Sequence, residues 1–134
     1  MSPAMIQRRL LLLDGYRRDL EALRGTGWRP EDHYAIERLV QLCVEAMIDA
    51  MARWLAVHGT EVPDAGAQVF DAAATAGLLP PELAGNLKDA TRLRNRIVHV
   101  YGDLSWDKLV LALPCLLSDS RRFLDVMAKA VGAP

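Results

Sequence analysis

Residues 30–57, PEDHYAIERLVQLCVEAMIDAMARWLAV, decide the fold. Ile36, Leu39, Val40, Cys43, Val44, Met47, Ile48, Met51, Trp54 and Leu55 recur along it at helical spacing and form one long apolar stripe. Pro30, Glu31 and Asp32 stand at the start, where acids meet the positive end of the helix dipole. A helix from 30 to 57 would be about 42 Å long. The segment His58-Gly59-Thr60-Glu61-Val62-Pro63 closes it.

Outward from this block the same pattern repeats. Toward the N-terminus, Ser2-Pro3 offers an N-cap followed by proline at the first helical position. Ile6, Leu10, Leu13, Leu20 and Leu23 then run at helical spacing until Gly25-Thr26-Gly27. Toward the C-terminus, a short helix is expected from Asp64, as N-cap, to about Ala76, with Val69, Phe70 and Ala73 inward and Gly77 as its cap. Pro80-Pro81-Glu82 opens a further block with Leu83, Leu87, Ala90, Leu93, Ile97 and Val98 on its core face, ending at Tyr101-Gly102-Asp103. Ser105 caps the last block, in which Trp106, Leu109, Val110, Leu113, Leu116, Leu117, Phe123, Leu124 and Met127 recur and Pro114 should kink the helix.

No strand-length run of period-two alternation stands out, and no internal repeat or long linker divides the chain. The expected fold is all-α: an antiparallel up-and-down four-helix bundle with one short extra helix, in a single domain over 1–134.

Composition agrees. Of 134 residues, 51% are hydrophobic, 25% charged and 6% aromatic, which suits a helical core that needs no disulfide or metal. The formal net charge of -1 excludes a protein that coats nucleic acid through bulk charge. Any RNA contact must come from a local cluster. Cys43 and Cys115 lie far apart in apolar runs and are expected to be buried free thiols. The apolar run Leu10–Leu13 is too short for a signal core or a membrane span, so a cytoplasmic location without a membrane partner is expected.

One stretch carries chemistry: Lys88-Asp89-Ala90-Thr91-Arg92-Leu93-Arg94-Asn95-Arg96-Ile97-Val98-His99-Val100-Tyr101. Across residues 88–108 five Lys or Arg face three Asp, a local excess of positive charge. On a straight helix Asn95 and His99 lie about 40° apart, Arg92 about 20° and Arg96 about 60° from His99, and Arg94 about 140° away. Periodicity alone therefore nominates Arg92 or Arg96 as the partner of His99. Lys88, Arg92 and Arg96 are candidate contacts to phosphate.

Within it, Arg94-Asn95-Arg96-Ile97-Val98-His99-Val100-Tyr101 resembles the R-N-x-x-x-H-x-Y signature of HEPN proteins, specifically the HepT-like branch. The resemblance implies that Arg94, Asn95 and His99 form a catalytic motif and that Tyr101 is its companion. It also implies a toxin that cleaves RNA without a metal or other cofactor. Its partner would be a nucleotidyltransferase antitoxin that silences it by transferring AMP to Tyr101. The long second helix with Glu37 and Glu45, the Gly-Leu-Leu-Pro stretch before the motif helix, and Asp103-Leu104 after it follow the same layout.

The residues suit that chemistry. In RNA cleavage the 2′-hydroxyl attacks the adjacent phosphorus and the 5′-oxygen leaves. An imidazole with an ordinary pKa near 6.5 exchanges protons at cellular pH, and the fork of donors on Arg94 suits phosphoryl oxygens. A single histidine does not easily serve as base and acid at once, so a homodimer with a composite cleft is expected. Competing readings are a histidine bonded to a backbone carbonyl at position 99, a solvated ion-pair strip for the arginines, and a core-edge aromatic at Tyr101. At the level of the whole protein, the alternative is a non-catalytic nucleotide- or substrate-binding helical subunit of a nucleotidyltransferase. His33 and His58 lie outside the motif and are expected at the surface or at helix ends. No histidine pair at i,i+4 suggests a metal site.

Overall fold

A computed structural model describes residues 3–99 and 104–132. Over these the protein is all-helical: α1 (Pro3–Gly25), α2 (His33–Val57), α3 (Gln68–Thr75), α4 (Pro81–His99) and α5 (Trp106–Val131). Ser2 and Tyr101 lie outside the described residues.

The stripes read from the sequence form the core. Ile6, Leu10, Leu13 and Leu20 of α1 are buried, with Leu23 half-buried against them. On α2, Ile36, Val40, Cys43, Val44, Met47, Met51, Trp54 and Leu55 are buried, and Ala46 and Ala50 fill the space between them. Phe70 of α3 meets Phe123 of α5 edge to face, their ring centroids 6.5 Å apart. Fully burying a side chain of this size contributes about 1.5–3 kcal/mol. On α4 the burial weakens along the helix: Leu83, Ala84 and Leu87 are buried, whereas Ala90, Leu93 and Ile97 are half-buried. The second half of α4, which carries the motif, is therefore the part nearest the surface.

Polar cross-links fix which ends meet. Arg9 Nε of α1 lies 2.6 Å from Asp49 Oδ2 of α2. Gln7 Nε2 donates to the carbonyl of Val131 at 3.1 Å, tying the start of α1 to the end of α5. Arg122 Nη1 reaches Glu82 Oε1 at 2.9 Å, and Asn86 Nδ2 donates to Asp119 Oδ1 at 3.3 Å, so the first half of α4 lies against the second half of α5. The starts of α2 and α5 meet where the His33 and Trp106 rings stand 5.5 Å apart.

Helix starts differ from expectation. Residues Pro30–Asp32 form a 3₁₀ turn, and α2 begins only at His33. The Asp32 amide donates to the Arg29 carbonyl at 2.9 Å, the tighter bonding common at helix ends. Asp64 does not cap α3, whose N-cap is Ala67. The amides of Gln68, Val69 and Phe70 donate three residues back instead, to Ala65, Gly66 and Ala67. Gly66 passes so close to α2 that a Cβ there would stand 3.1 Å from Ile48 Cδ1. The other ends follow the sequence. Gly77 takes φ +83° after α3, and the Leu78 amide reaches the Ala73 carbonyl at 3.0 Å. Ser105 Oγ accepts the Lys108 amide at 3.3 Å at the start of α5. Pro114 lies within α5 on its exposed side.

The two cysteines part company. Cys43 is buried in the core and its thiol is pushed up to about 12, because burial penalises the thiolate. Cys115 is free but exposed, contrary to the reading of both as buried. The apolar run around it belongs to a helix whose outer side also carries Leu111, 79% exposed.

Candidate functional site

The motif occupies the last turns of α4. Because Leu93 faces inward, the 100° step to the next residue puts Arg94 at the border between core and solvent, beside α2. Its side chain is 19% exposed, and Nη1 lies 3.5 Å from Glu45 Oε1. Glu45 is held in turn by Gln41 one turn earlier on α2, whose Nε2 donates to Glu45 Oε1 at 3.1 Å. On the other side the guanidinium faces the link between α2 and α3: a Cβ on Gly66 would stand 3.7 Å from Arg94 Nη2. Arg94 Nε is buried and has no hydrogen-bond partner among the described residues. A charged fork is thus seated against one carboxylate with one donor unspent.

Asn95 and His99 stand on the exposed side of the same helix, about 40° apart in rotation. His99 is the last residue of α4. Behind them Thr91 is buried, its hydroxyl satisfied by the Leu87 carbonyl at 2.9 Å.

The candidate phosphate contacts are dispersed. Arg92 pairs with Asp89 one turn earlier, with both side chains largely in water. Lys88 Nζ crosses to Asp71 Oδ2 of α3 at 2.9 Å. Arg96 is half-buried. The geometry therefore joins Arg94 to Glu45 and Gln41, leaves Asn95 and His99 facing solvent, and ties Lys88 and Arg92 to aspartates. Glu45 lies outside the motif; the family layout places it on the second helix with Glu37, but its pairing with Arg94 comes only with the fold.

Two other features lie outside the motif. At the start of α2, His33 Nε2 lies 3.4 Å from Glu37 Oε2, and its ring stacks on Tyr34 at 5.9 Å and 12°. His58 caps the other end of α2, its Nδ1 2.9 Å from the Trp54 carbonyl and its ring 3.9 Å from the Trp54 ring. Between α4 and α5 runs a groove of about 490 Å³, lined by Asn86, Ala90, Leu93, Cys115, Leu116 and Asp119 among others. Burial pushes the Asp119 carboxyl up, against the opposing pull of the Asn86 hydrogen bond. Among the described residues no group of three His, Cys, Asp or Glu is placed to hold a metal ion, and no helix is long and apolar enough to cross a membrane.

Comparison with known proteins gives this geometry a family. The profile of the family described as "Ribonuclease HepT-like" matches residues 6–127. A curated relative, the tRNA nuclease HepT of Aphanizomenon flos-aquae, is 27% identical over 118 residues, covering 84% of this chain and 80% of that one. Among solved structures, the tri-AMPylated Shewanella oneidensis HEPN toxin in complex with an MNT antitoxin superposes with a TM-score of 0.85 at 24% identity, covering 92% of this chain and 96% of that one. A toxin–antitoxin structure with AMP-PNP superposes with a TM-score of 0.82, also at 24% identity, covering 91% and 96%. At that identity the two structures speak for the fold, while the family profile spans nearly all of the core from Ile6 to Met127. The chain belongs to the HepT-like ribonuclease family.

Proposed function

We propose that this protein is a metal-independent endoribonuclease, the toxin of a toxin–antitoxin pair, acting in the cytoplasm as a homodimer. In this reading the frame is an antiparallel up-and-down four-helix bundle, which the cross-links between α1 and α5 and between α4 and α5 support. The observation that carries the reading is the seat of Arg94. Its guanidinium is held by Glu45 at the edge of the core and keeps a buried Nε–H without an acceptor among the described residues, five residues before an exposed His99.

The chemistry follows from what these groups can do. The RNA 2′-hydroxyl gives up its proton and its oxygen bonds to the adjacent phosphorus. The bond from phosphorus to the 5′-oxygen breaks, and that oxygen takes up a proton. Charge builds on the non-bridging oxygens in between, where Arg94 supplies fixed donors. Asn95 presents an amide on the same exposed strip. His99 moves one proton, and the His99 of a second copy across a shared cleft moves the other.

The partner is a nucleotidyltransferase antitoxin. The solved structures that this chain resembles support this, one of them an AMPylated toxin bound to its antitoxin. Silencing proceeds at Tyr101: its hydroxyl attacks the α-phosphorus of ATP, pyrophosphate leaves, and the new phosphate sets negative charge beside the RNA phosphate site. The relative named a tRNA nuclease supports RNA as the substrate.

The test is direct. Purified protein should cleave RNA in the presence of EDTA, and His99→Ala should abolish cleavage while leaving the helical circular dichroism and the melting temperature intact. Survival of RNA with retained nucleotide binding would instead favour a non-catalytic subunit of the nucleotidyltransferase. Intact-mass measurement of protein co-expressed with the antitoxin should show added AMP that Tyr101→Phe removes.

A further inference from the structure

The side of α2 next to the site carries a second pattern. Tyr34, Arg38, Gln41 and Glu45 are spaced four, three and four residues apart, which places all four within about 60° of rotation. At one end of this strip Glu45 holds Arg94. Gln41 holds Glu45. Beyond them Arg38 is exposed, with no ion pair among the described residues. At the far end Tyr34 is 85% exposed, by a wide margin the most exposed large aromatic among the described residues. The Tyr34 ring is backed by His33 in near-parallel stacking, and His33 is backed in turn by the edge of Trp106. From Glu45 the axial distance is about 10 Å to Arg38 and about 16 Å to Tyr34.

A folded protein gains nothing in stability by leaving a tyrosine that far in water, nor by leaving an arginine beside it without a carboxylate. Single-stranded nucleic acid needs both: a cation that follows the backbone, and an aromatic face on which a base stacks. We propose that this strip of α2 is a binding track for single-stranded RNA, in which Arg38 holds a backbone phosphate and Tyr34 stacks an unpaired base a few nucleotides from the bond that is cut. The inference rests on the ribonuclease reading and adds to it the form of the substrate. The track accepts unstacked, single-stranded RNA and discriminates against a duplex, whose bases are not free to stack on Tyr34. Sequence preference from stacking is modest, because every base has a π-face.

The experiment separates binding from cleavage. The probe is a short, unstructured, fluorescein-labelled oligoribonucleotide of adenosines and cytidines, titrated with the cleavage-dead His99→Ala protein and followed by anisotropy. In that background Tyr34→Ala should weaken binding by about 5- to 150-fold, the usual effect of removing one stacking aromatic, while Tyr34→Phe keeps most of it. Arg38→Ala should lower the slope of log affinity against log salt by about 0.7, the signature of one lost phosphate contact on a single strand. In the active protein the same changes should raise KM. Both side chains are exposed, so the melting temperature serves as the folding control. Cleavage by the active protein with binding and KM indifferent to Tyr34→Ala and Arg38→Ala would overturn the track and leave the ribonuclease reading standing. Variants that keep RNA affinity but lose co-purification with the antitoxin would assign the strip to the protein partner and also overturn it. No cleavage by the active protein under any condition would count against the ribonuclease reading itself.

Discussion

Replacing Arg94 by glutamine tests whether the guanidinium is an instrument of chemistry or a strut. At 3.5 Å, unit charges attract by about 1.2 kcal/mol in a medium like water and by nearly 5 kcal/mol at an effective dielectric of about 20. Glu45 is 42% exposed, so the water limit governs, and ordering two flexible side chains subtracts from it. The net coupling between Arg94 and Glu45 should therefore be about 1 kcal/mol or less. A double-mutant cycle of Arg94→Gln and Glu45→Gln, read by urea unfolding, measures it. In a domain of this size 1 kcal/mol moves the melting temperature by about 3–4 °C. Cleavage should respond far more. Losing a preorganised donor to developing phosphoryl charge costs about 10²–10³ in rate. Glu45→Gln, which loosens the fork without removing it, should cost no more than about tenfold. If Arg94→Gln instead removed more than 3 kcal/mol of stability and the folded remainder still cut RNA at the parental rate, the arginine would be a structural ion pair and the reasoning would fail.

Three further outcomes follow from burial and packing. A thiol reagent at pH 8 should modify Cys115 quickly and Cys43 only after denaturation, because the first is exposed and the second is buried with its pKa pushed to about 12. For Asp119 the folded pKa is raised by burial; the folded state therefore holds that proton more tightly, and the stability owed to it is lost as pH rises through the folded pKa. Asp119→Asn should accordingly raise the melting temperature at neutral pH, with the gain fading as the solution is brought down toward the ordinary aspartate range. Phe123→Ala should cost about 3–5 kcal/mol in urea unfolding, since its ring is fully buried against Phe70.

The long apolar stripes were legible because burial of one helix face writes a period that nothing else in a sequence imitates. Ile36 through Leu55 named the core side of α2 almost residue for residue. Caps made of one side chain and one amide were legible too, as at Ser105. What failed was set by distant contacts. Asp64 looks like an N-cap, but α3 starts after Ala67, where the chain passes close to Ile48 of α2 at Gly66 and backbone amides bond three residues back in place of a side-chain cap. Cys115 sits in an apolar run, yet α5 has more apolar positions than its neighbours can cover. Around the motif, Glu37 and Glu45 were both named from the chain as part of the second helix's layout, but which of them pairs with Arg94 was not legible, because an acid on a helix surface has no mark distinguishing partner from ornament until the fold brings it close.

The same rotation that makes the motif awkward on paper gives it a physical logic. Arg94 and His99 are about 140° apart on a straight α4, and accordingly one leans on α2 while the other faces solvent. Two groups that diverge from one helix suit a substrate gripped from both sides better than one seated in a single-chain pocket. Under the dimer proposal, the exposed Asn95–His99 strip of one copy meets its counterpart across the cleft, and the buried Nε of Arg94, without a hydrogen-bond partner among the described residues, stays out of water until a phosphate oxygen arrives. A donor kept dry in advance costs no reorganisation when charge develops. On that argument α2 is as much a part of the ribonuclease as the motif helix: it aims the guanidinium at one end and, through Arg38 and Tyr34, leads the strand toward it.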